Sequence, residues 1–203
     1  RDAQESRGLG DVYKRQLIQK AEDGYAPATK WDKEKQHELA GKIESECAVL
    51  LKNDDKILPL DKSAKIAFIG EFADKPRYQG GGSSHINSFK VTSALEAVKG
   101  MDNITYAQGF VTDRDETVDE LLDEAVELAK NSDVAVIFAG LPESFESEGF
   151  DRKHMRMPDC QLKLIDEVAK VNENVIIVLH NGSAVKMPFA NKVKGILLSL
   201  IHI

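Results

Sequence analysis

The chain has 203 residues, of which 34 are acidic and 27 basic, giving a formal net charge of −7; at 42% hydrophobic and 30% charged it holds enough apolar material for one sizeable core and enough charge to stay dissolved, which excludes global disorder. Apolar runs such as Val134 to Ala139 stop far short of the roughly 18 residues a membrane-spanning helix needs, and an acidic chain with no Lys and Arg cluster interleaved with aromatics offers little to nucleic acid. Two cysteines, Cys47 and Cys160, form neither a disulfide framework nor a metal-ligand spacing, so they read as small buried hydrophobes in a cytoplasmic protein, with no metal or cofactor expected.

Both ends of the chain stand apart from the rest. Leu198 to Ile203 reads LSLIHI, which CTG TCT CTT ATA CAC ATC can encode; the reverse complement, GAT GTG TAT AAG AGA CAG, translates as DVYKRQ, the sequence of Asp11 to Gln16. That DNA resembles the transposase end sequence used to prepare sequencing libraries. Residues 1–16 and 198–203 are therefore expected to be artefactual or unassigned and are excluded from fold reasoning.

From Asp32 the spacing predicts a helix, with Leu39, Ile43 and Cys47 four apart and Lys35, Glu38, Lys42 and Glu46 on other faces. Asn53 and Asp54 break the chain. Ile66 to Gly70 (IAFIG) is a continuous apolar run that suits a strand buried on both faces. Thr92 to Val98 predicts a short helix, Ile104 to Tyr106 a short strand, and Val118, Leu121, Leu122, Ala125, Val126 and Ala129 the stripe of an amphipathic helix ending at Asn131. Val134 to Ala139 (VAVIFA) is a second buried strand. Leu162, Ile165, Val168 and Ala169 mark another helix, Val175 to Leu179 (VIIVL) another strand, and a last strand begins at Gly195. Unbroken apolar strands alternating with amphipathic helices predict an α/β domain, a mostly parallel sheet sandwiched between helices.

In such sheets ligand chemistry gathers in the loops after the carboxyl ends of strands. The first such loop, Glu71 to Asn87, contains RYQGGGSSHIN from Arg77. Its glycines let backbone approach a partner closely, while Arg77, Gln79, Ser83, Ser84, His85 and Asn87 supply hydrogen-bonding groups. It fits neither G-x-G-x-x-G, which needs glycine where His85 stands, nor a P-loop, which needs Gly-Lys-Ser/Thr. A surface turn and a carbohydrate or interdomain contact both remain open. The second loop, Leu141 to Pro158, mixes Glu143, Glu146, Glu148 and Asp151 with Arg152, Lys153, His154 and Arg156; composition alone allows a merely solvated loop. The third, His180-Asn181-Gly182-Ser183, reads as a turn.

Glu46 to Leu60 (ECAVLLKNDDKILPL), then RYQGGGSSHIN, then ESEGFDRKHMRMP with Gln161 and Leu164-Ile165 downstream, resemble in order and spacing the carboxy-terminal α/β domain of family 3 glycoside hydrolases, the β-glucosidase family. The resemblance covers nearly all of residues 35–197. It implies that residues 17–34 end an interdomain connection, and that the sheet is truncated near Gly195, with an apolar edge left open. It also implies a retaining β-glycosidase, most plainly a β-glucosidase, acting on terminal non-reducing β-linked sugars of a β-glycoside or oligosaccharide. In that family an amino-terminal (β/α)8 barrel, missing here, carries the nucleophilic aspartate, and this domain supplies the acid/base carboxylate, so the chain alone is expected to be inactive.

Retaining glycosidases need one carboxyl to attack the anomeric carbon and another to protonate the leaving oxygen and then deprotonate water. The family's Glu-Gly-aromatic-Asp string is Glu148-Gly149-Phe150-Asp151 here, which makes Glu148 the expected acid/base and Glu146 the runner-up. Burial is expected to raise the acid's pKa. The resemblance further places Arg77, Gly80, Gly81, Gly82, Ser83, Ser84 and His85 at the substrate or the domain junction, while the neighbouring opposite charges of Asp151 and Arg152 are read as an ion-paired hinge that sets the loop. Two other functions would fit the fold: a non-catalytic carbohydrate-binding or interaction domain, against which the acid at 148 counts, and a nucleotide-binding domain, which the missing phosphate motifs disfavour.

Overall fold

The structure, a computed structural model, describes residues 32–149 and 151–200. The segment 1–16, most of the expected connection (17–31), Phe150 and residues 201–203 lie outside these. The chain divides into two compact units, Arg1–Leu39 and Ala40–Ile203. The described part of the first opens helix α1 (Lys33–Cys47), where the Lys35 N–H donates to Asp32 Oδ1 at 3.1 Å and so satisfies one of the donors a helix start leaves free. The stripe expected on α1 is present but buries nothing among the described residues, and Leu39 and Ile43 are exposed.

In the second unit, β1 (Val49–Asn53), β2 (Ile66–Ile69), β3 (Ile104–Ala107), β4 (Val134–Gly140), β5 (Val175–Asn181) and β6 (Gly195–Leu200) form one sheet in the order β1-β6-β5-β4-β2-β3. All neighbours run parallel except β1 and β6. Every residue of β2 and of β4 is buried, which is the reason these strands read as continuous apolar runs: helices cover both faces, so no position alternates to water. Between strands lie α2 (Ala94–Ala97), α3 (Asp119–Lys130) and α4 (Asp159–Val171). The chain steps outward from β2 to β3 and then back across β2 to β4, an order for which the right-handed crossover rule sets α2 on the face opposite α3 and α4, and these two helices pack on each other. Leu164 and Ile165 of α4 belong with Ala135, Ile137 and Ile177 to one fully buried core.

Caps fix the helix ends that carry loops to this sheet. Ser93 Oγ accepts from the Glu96 N–H at 3.1 Å to start α2. Asp115, on the loop after β3, accepts from the Cys160 N–H at 2.9 Å and so caps α4 from outside its own sequence, Pro158 having no side-chain oxygen to offer. Burial pushes the Cys160 thiol up to about 12, with Asp115 adding to it, so this cysteine behaves as the small hydrophobe expected.

One expectation changes. The sheet does not end open at Gly195: β6 runs to Leu200, and Leu198 pairs with Leu179 on one side and Val49 on the other. β1, which the sequence pattern did not announce, covers that edge antiparallel, with a register shift between Leu50 and Lys52. The strand order also fixes where loops can diverge. β2 and β4 are neighbours whose connections leave in opposite directions, and the crevice between their carboxyl ends is the place where an open α/β sheet leaves room for a ligand.

Candidate active site

Three loops meet at that crevice. Arg77, on the loop after β2, is buried, and its Nη1 donates to Glu146 Oε2 on the loop after β4 at 2.9 Å. Nη1 also donates to the Leu141 carbonyl and Nη2 to the Glu146 carbonyl. A planar guanidinium thus holds side chain and backbone of one residue together, a fork that a lysine could not reproduce. From the loop after β5, the Gly182 N–H donates to Glu146 Oε2 at 2.9 Å and the Ser183 hydroxyl donates to Oε1. Burial pushes the Glu146 carboxyl up, but Ser183, Gly182 and Arg77 together outweigh it and hold the group below the ordinary 4.5. A carboxylate with both oxygens committed to fixed donors stays charged and stays put.

Glu148, two residues on, is exposed. Its Oε2 accepts from the Ser83 N–H at 2.6 Å and from the Ser83 hydroxyl. These bonds hold its carboxyl below the ordinary 4.5, the opposite of the rise expected from burial. Ser83 can reach it because Gly82 stands between: with φ +77°, a Cβ there would lie 2.7 Å from both Cβ and Oε2 of Glu148. Gly81 is equally tight, its absent Cβ falling 2.5 Å from Ser147 Oγ.

The rest of the glycine loop is self-bound. Gly82–Ser84 form a single 3₁₀ turn closed by the His85 N–H on the Gly82 carbonyl at 3.1 Å. Gln79 closes the wider loop by accepting from the Ile86 N–H at 3.0 Å. Gly80 and Gly81 are buried, and His85 Nδ1 lies 3.8 Å from Glu143 Oε1. A cleft of about 350 Å³ opens beside the Arg77–Glu146 pair, lined among others by Phe72, Lys75, Thr112, Pro142 and Glu143.

The expected ion pair between Asp151 and Arg152 is not formed. Arg152 Nη1 instead donates to Ser183 Oγ at 2.7 Å and to the Ala184 carbonyl at 3.0 Å. Nor is His180 a turn residue: it lies in β5, tilted against Phe72 and Phe138, and burial pushes its imidazole down to about 4, opposed by the hydrogen bond its ring donates to the Arg77 backbone carbonyl. Gly182 and Ser183, read from sequence as part of a turn, are brought against Glu146. The signal that could have found them is their place just after an apolar strand adjoining the switch point. Among the described residues there is no group of three or more His, Cys, Asp or Glu that could hold a metal ion, and no helix is long and apolar enough to cross a membrane.

Residues 48–202 match the glycosyl hydrolase family 3 C-terminal domain. The chain is 50% identical over 171 residues to the thermostable β-glucosidase B of Acetivibrio thermocellus, covering 82% of this chain and 23% of that protein. It is 44% identical over 206 residues to the exo-α-(1→6)-L-arabinopyranosidase of Bifidobacterium longum, covering 96% of this chain and 27% of that protein. The solved structure of the family 3 β-glucosidase of Bifidobacterium adolescentis superimposes with a TM-score of 0.82 at 47% identity, over 87% of this chain and 26% of that one. The chain therefore spans about a quarter of the length of these relatives.

Proposed function

The chain belongs to glycoside hydrolase family 3, and from that premise we propose that it is the part of a retaining β-glycosidase, most plainly a β-glucosidase, that supplies the acid/base carboxylate, Glu148. The carrying observation is the unequal state of the two candidate glutamates. Glu146 has both oxygens bound by Arg77, Gly182 and Ser183, whereas Glu148 is exposed and, among the described residues, bound by Ser83 alone. A general acid must give up a proton to the leaving oxygen and later take one from water; a carboxylate locked by three donors does neither.

The nucleophilic aspartate and most of the sugar site would come from the (β/α)8 barrel of the same polypeptide. Docking of that barrel and of a glycoside over the crevice would remove water from Glu148 and bring the nucleophile's charge near it. Both changes raise a carboxyl pKa, from the low value Ser83 sets to one at which the acid is protonated when substrate binds. The glycine loop at 80–82 would border the same mouth, its missing side chains leaving space for Glu148 to move.

The test is a chimera in which residues 48–197 replace the matching segment of the A. thermocellus β-glucosidase B. Glu148→Ala should lose 10²- to 10⁴-fold, in order of magnitude, on glycosides with poor leaving groups and far less on activated aryl glycosides, since only the former need protonation. Equal losses on both substrate types, or a leaving-group split in Glu146→Gln instead, would overturn the assignment. Full activity of Glu148→Ala would point to a domain that contacts carbohydrate without taking part in the chemistry.

A further inference from the structure

Ser183 holds both ends of the segment that carries Glu148. Its hydroxyl donates its one proton to Glu146 Oε1, on the near side of Glu148, and accepts from Arg152 Nη1 at 2.7 Å on the far side. One hydroxyl has one donor and two acceptor sites, so both bonds form at once without competition. Neighbouring groups reinforce each tie: the Gly182 N–H on Glu146 at 2.9 Å, and the Ala184 carbonyl accepting from Arg152 at 3.0 Å. Arg77, itself buried, fixes the Glu146 end to the body of the domain. Between these anchors lie only residues 147–151, including Gly149 with φ +97°, a conformation that a short loop left to itself would readily exchange for others.

We infer that Ser183 is a positioning residue for Glu148: it closes residues 146–152 into a loop pinned at both ends on β5's carboxyl end, so that the acid is presented from a fixed base. The inference rests on the proposed acid/base role of Glu148. The physical reason is that a short loop with two fixed ends has little freedom for the residue between them, and catalytic groups lose efficiency steeply with small misplacements. Glu146 then has a role of its own as the other half of the pin, which accounts for a half-buried, fully bound carboxylate so close to the acid.

The test uses the 203-residue chain and the chimera together. In the chain, Ser183→Ala should speed backbone amide exchange at 147–151 by at least about tenfold while the β4 amides keep their protection. In the chimera, Ser183→Ala should lower kcat/KM about ten- to a hundredfold for poor leaving groups and much less for activated ones, with Ser183→Thr restoring both readouts because it keeps the hydroxyl. Should Ser183→Ala fail to fold, Arg152→Gln cuts the far tie alone and is expected to show the same pattern. Unchanged exchange with unchanged kinetics, or losses equal on both substrate types, overturns the inference. Glu148→Ala run alongside separates the two ideas: a leaving-group split there with none in Ser183→Ala sinks the positioning role alone, while no split in Glu148→Ala sinks the acid/base reading and the inference resting on it.

Discussion

Arg77 and Glu146, 69 residues apart in sequence, meet at 2.9 Å with their side chains only 5% and 15% exposed. Removing Arg77 takes away the one opposite charge on a mostly enclosed carboxylate, leaving it only Gly182 and Ser183, and also strips the Leu141 and Glu146 carbonyls of their guanidinium donors. Arg77→Ala should therefore destabilise the domain by about 3 kcal/mol or more, the cost seen when a buried ion pair is broken, whereas the pair's net contribution over an apolar replacement is small. The double variant Arg77→Ala with Glu146→Ala should lose less than the two single losses added together. Urea midpoints of the four proteins check this; strict additivity would show that the pair is not coupled.

Stability should fall as the pH is lowered from about 6.5 towards 4. The imidazole of His180 is held down to about 4 by burial, so across that window the unfolded chain binds a proton at this position and the folded one does not. A depressed folded-state pKa means stability present above 6.5 and lost as the pH falls, here on the order of 3 kcal/mol. Glu71, where burial is outweighed by Lys75 and Thr112, and Glu146 are both held low as well; they extend the loss below pH 4.5. Denaturant midpoints measured from pH 7 to 4 should show the slope, and His180→Phe should flatten the part above 4.5. A flat profile in the unaltered chain would contradict a histidine kept neutral in the folded domain.

Ser83 should set the titration of Glu148 in the free domain. Its hydroxyl and N–H together lower the Glu148 carboxyl, so in a carbon-detected NMR titration that group should titrate below 4.5, and Ser83→Ala should move it up towards the ordinary value. Gly82→Ala should do the same by a different route, since a Cβ 2.7 Å from Oε2 displaces the carboxylate. Titration at the same pH in all three proteins would show that the Ser83 contact does not form in solution.

The apolar runs made β2, β4 and β5 legible, because strands buried on both faces need no alternation and helices α3 and α4 carry full stripes. β1 was not legible. Val49, Leu50 and Leu51 are exposed, and what makes VLLKN a strand is β6, which pairs with it in the register Val49 to Leu198 from the far end of the domain. The end of β5 was hidden because His180 and Asn181 are polar, though both continue the pairing with β6. In the site, the string Glu148-Gly149-Phe150-Asp151 could be matched to a family, but the state of Glu146 could not be read from it. Its partners are contributed by Arg77 and by Gly182 and Ser183, and only the strand order brings those loops together. Arg152 misled for the same reason: its neighbour in sequence was the visible partner, and its partner in space, Ser183, was not.

The 203-residue chain by itself should not turn over glycosides. A positioned general acid contributes about 10²- to 10⁴-fold, far below what glycosidases achieve with a nucleophile as well. Incubation with an aryl β-glucoside should release no aryl alcohol above the buffer rate. Multiple turnovers would show that the chain carries a complete site.

Azide rescue tests the acid/base role of Glu148 most directly. In the chimera bearing Glu148→Ala, an activated aryl β-glucoside can still form the glycosyl-enzyme intermediate, but water then lacks a base; azide attacks without one. Adding azide should raise turnover and yield the β-glycosyl azide, with the anomeric configuration retained through two displacements. No acceleration and no glycosyl azide from Glu148→Ala, or rescue from Glu146→Ala instead, would contradict the role assigned here to Glu148.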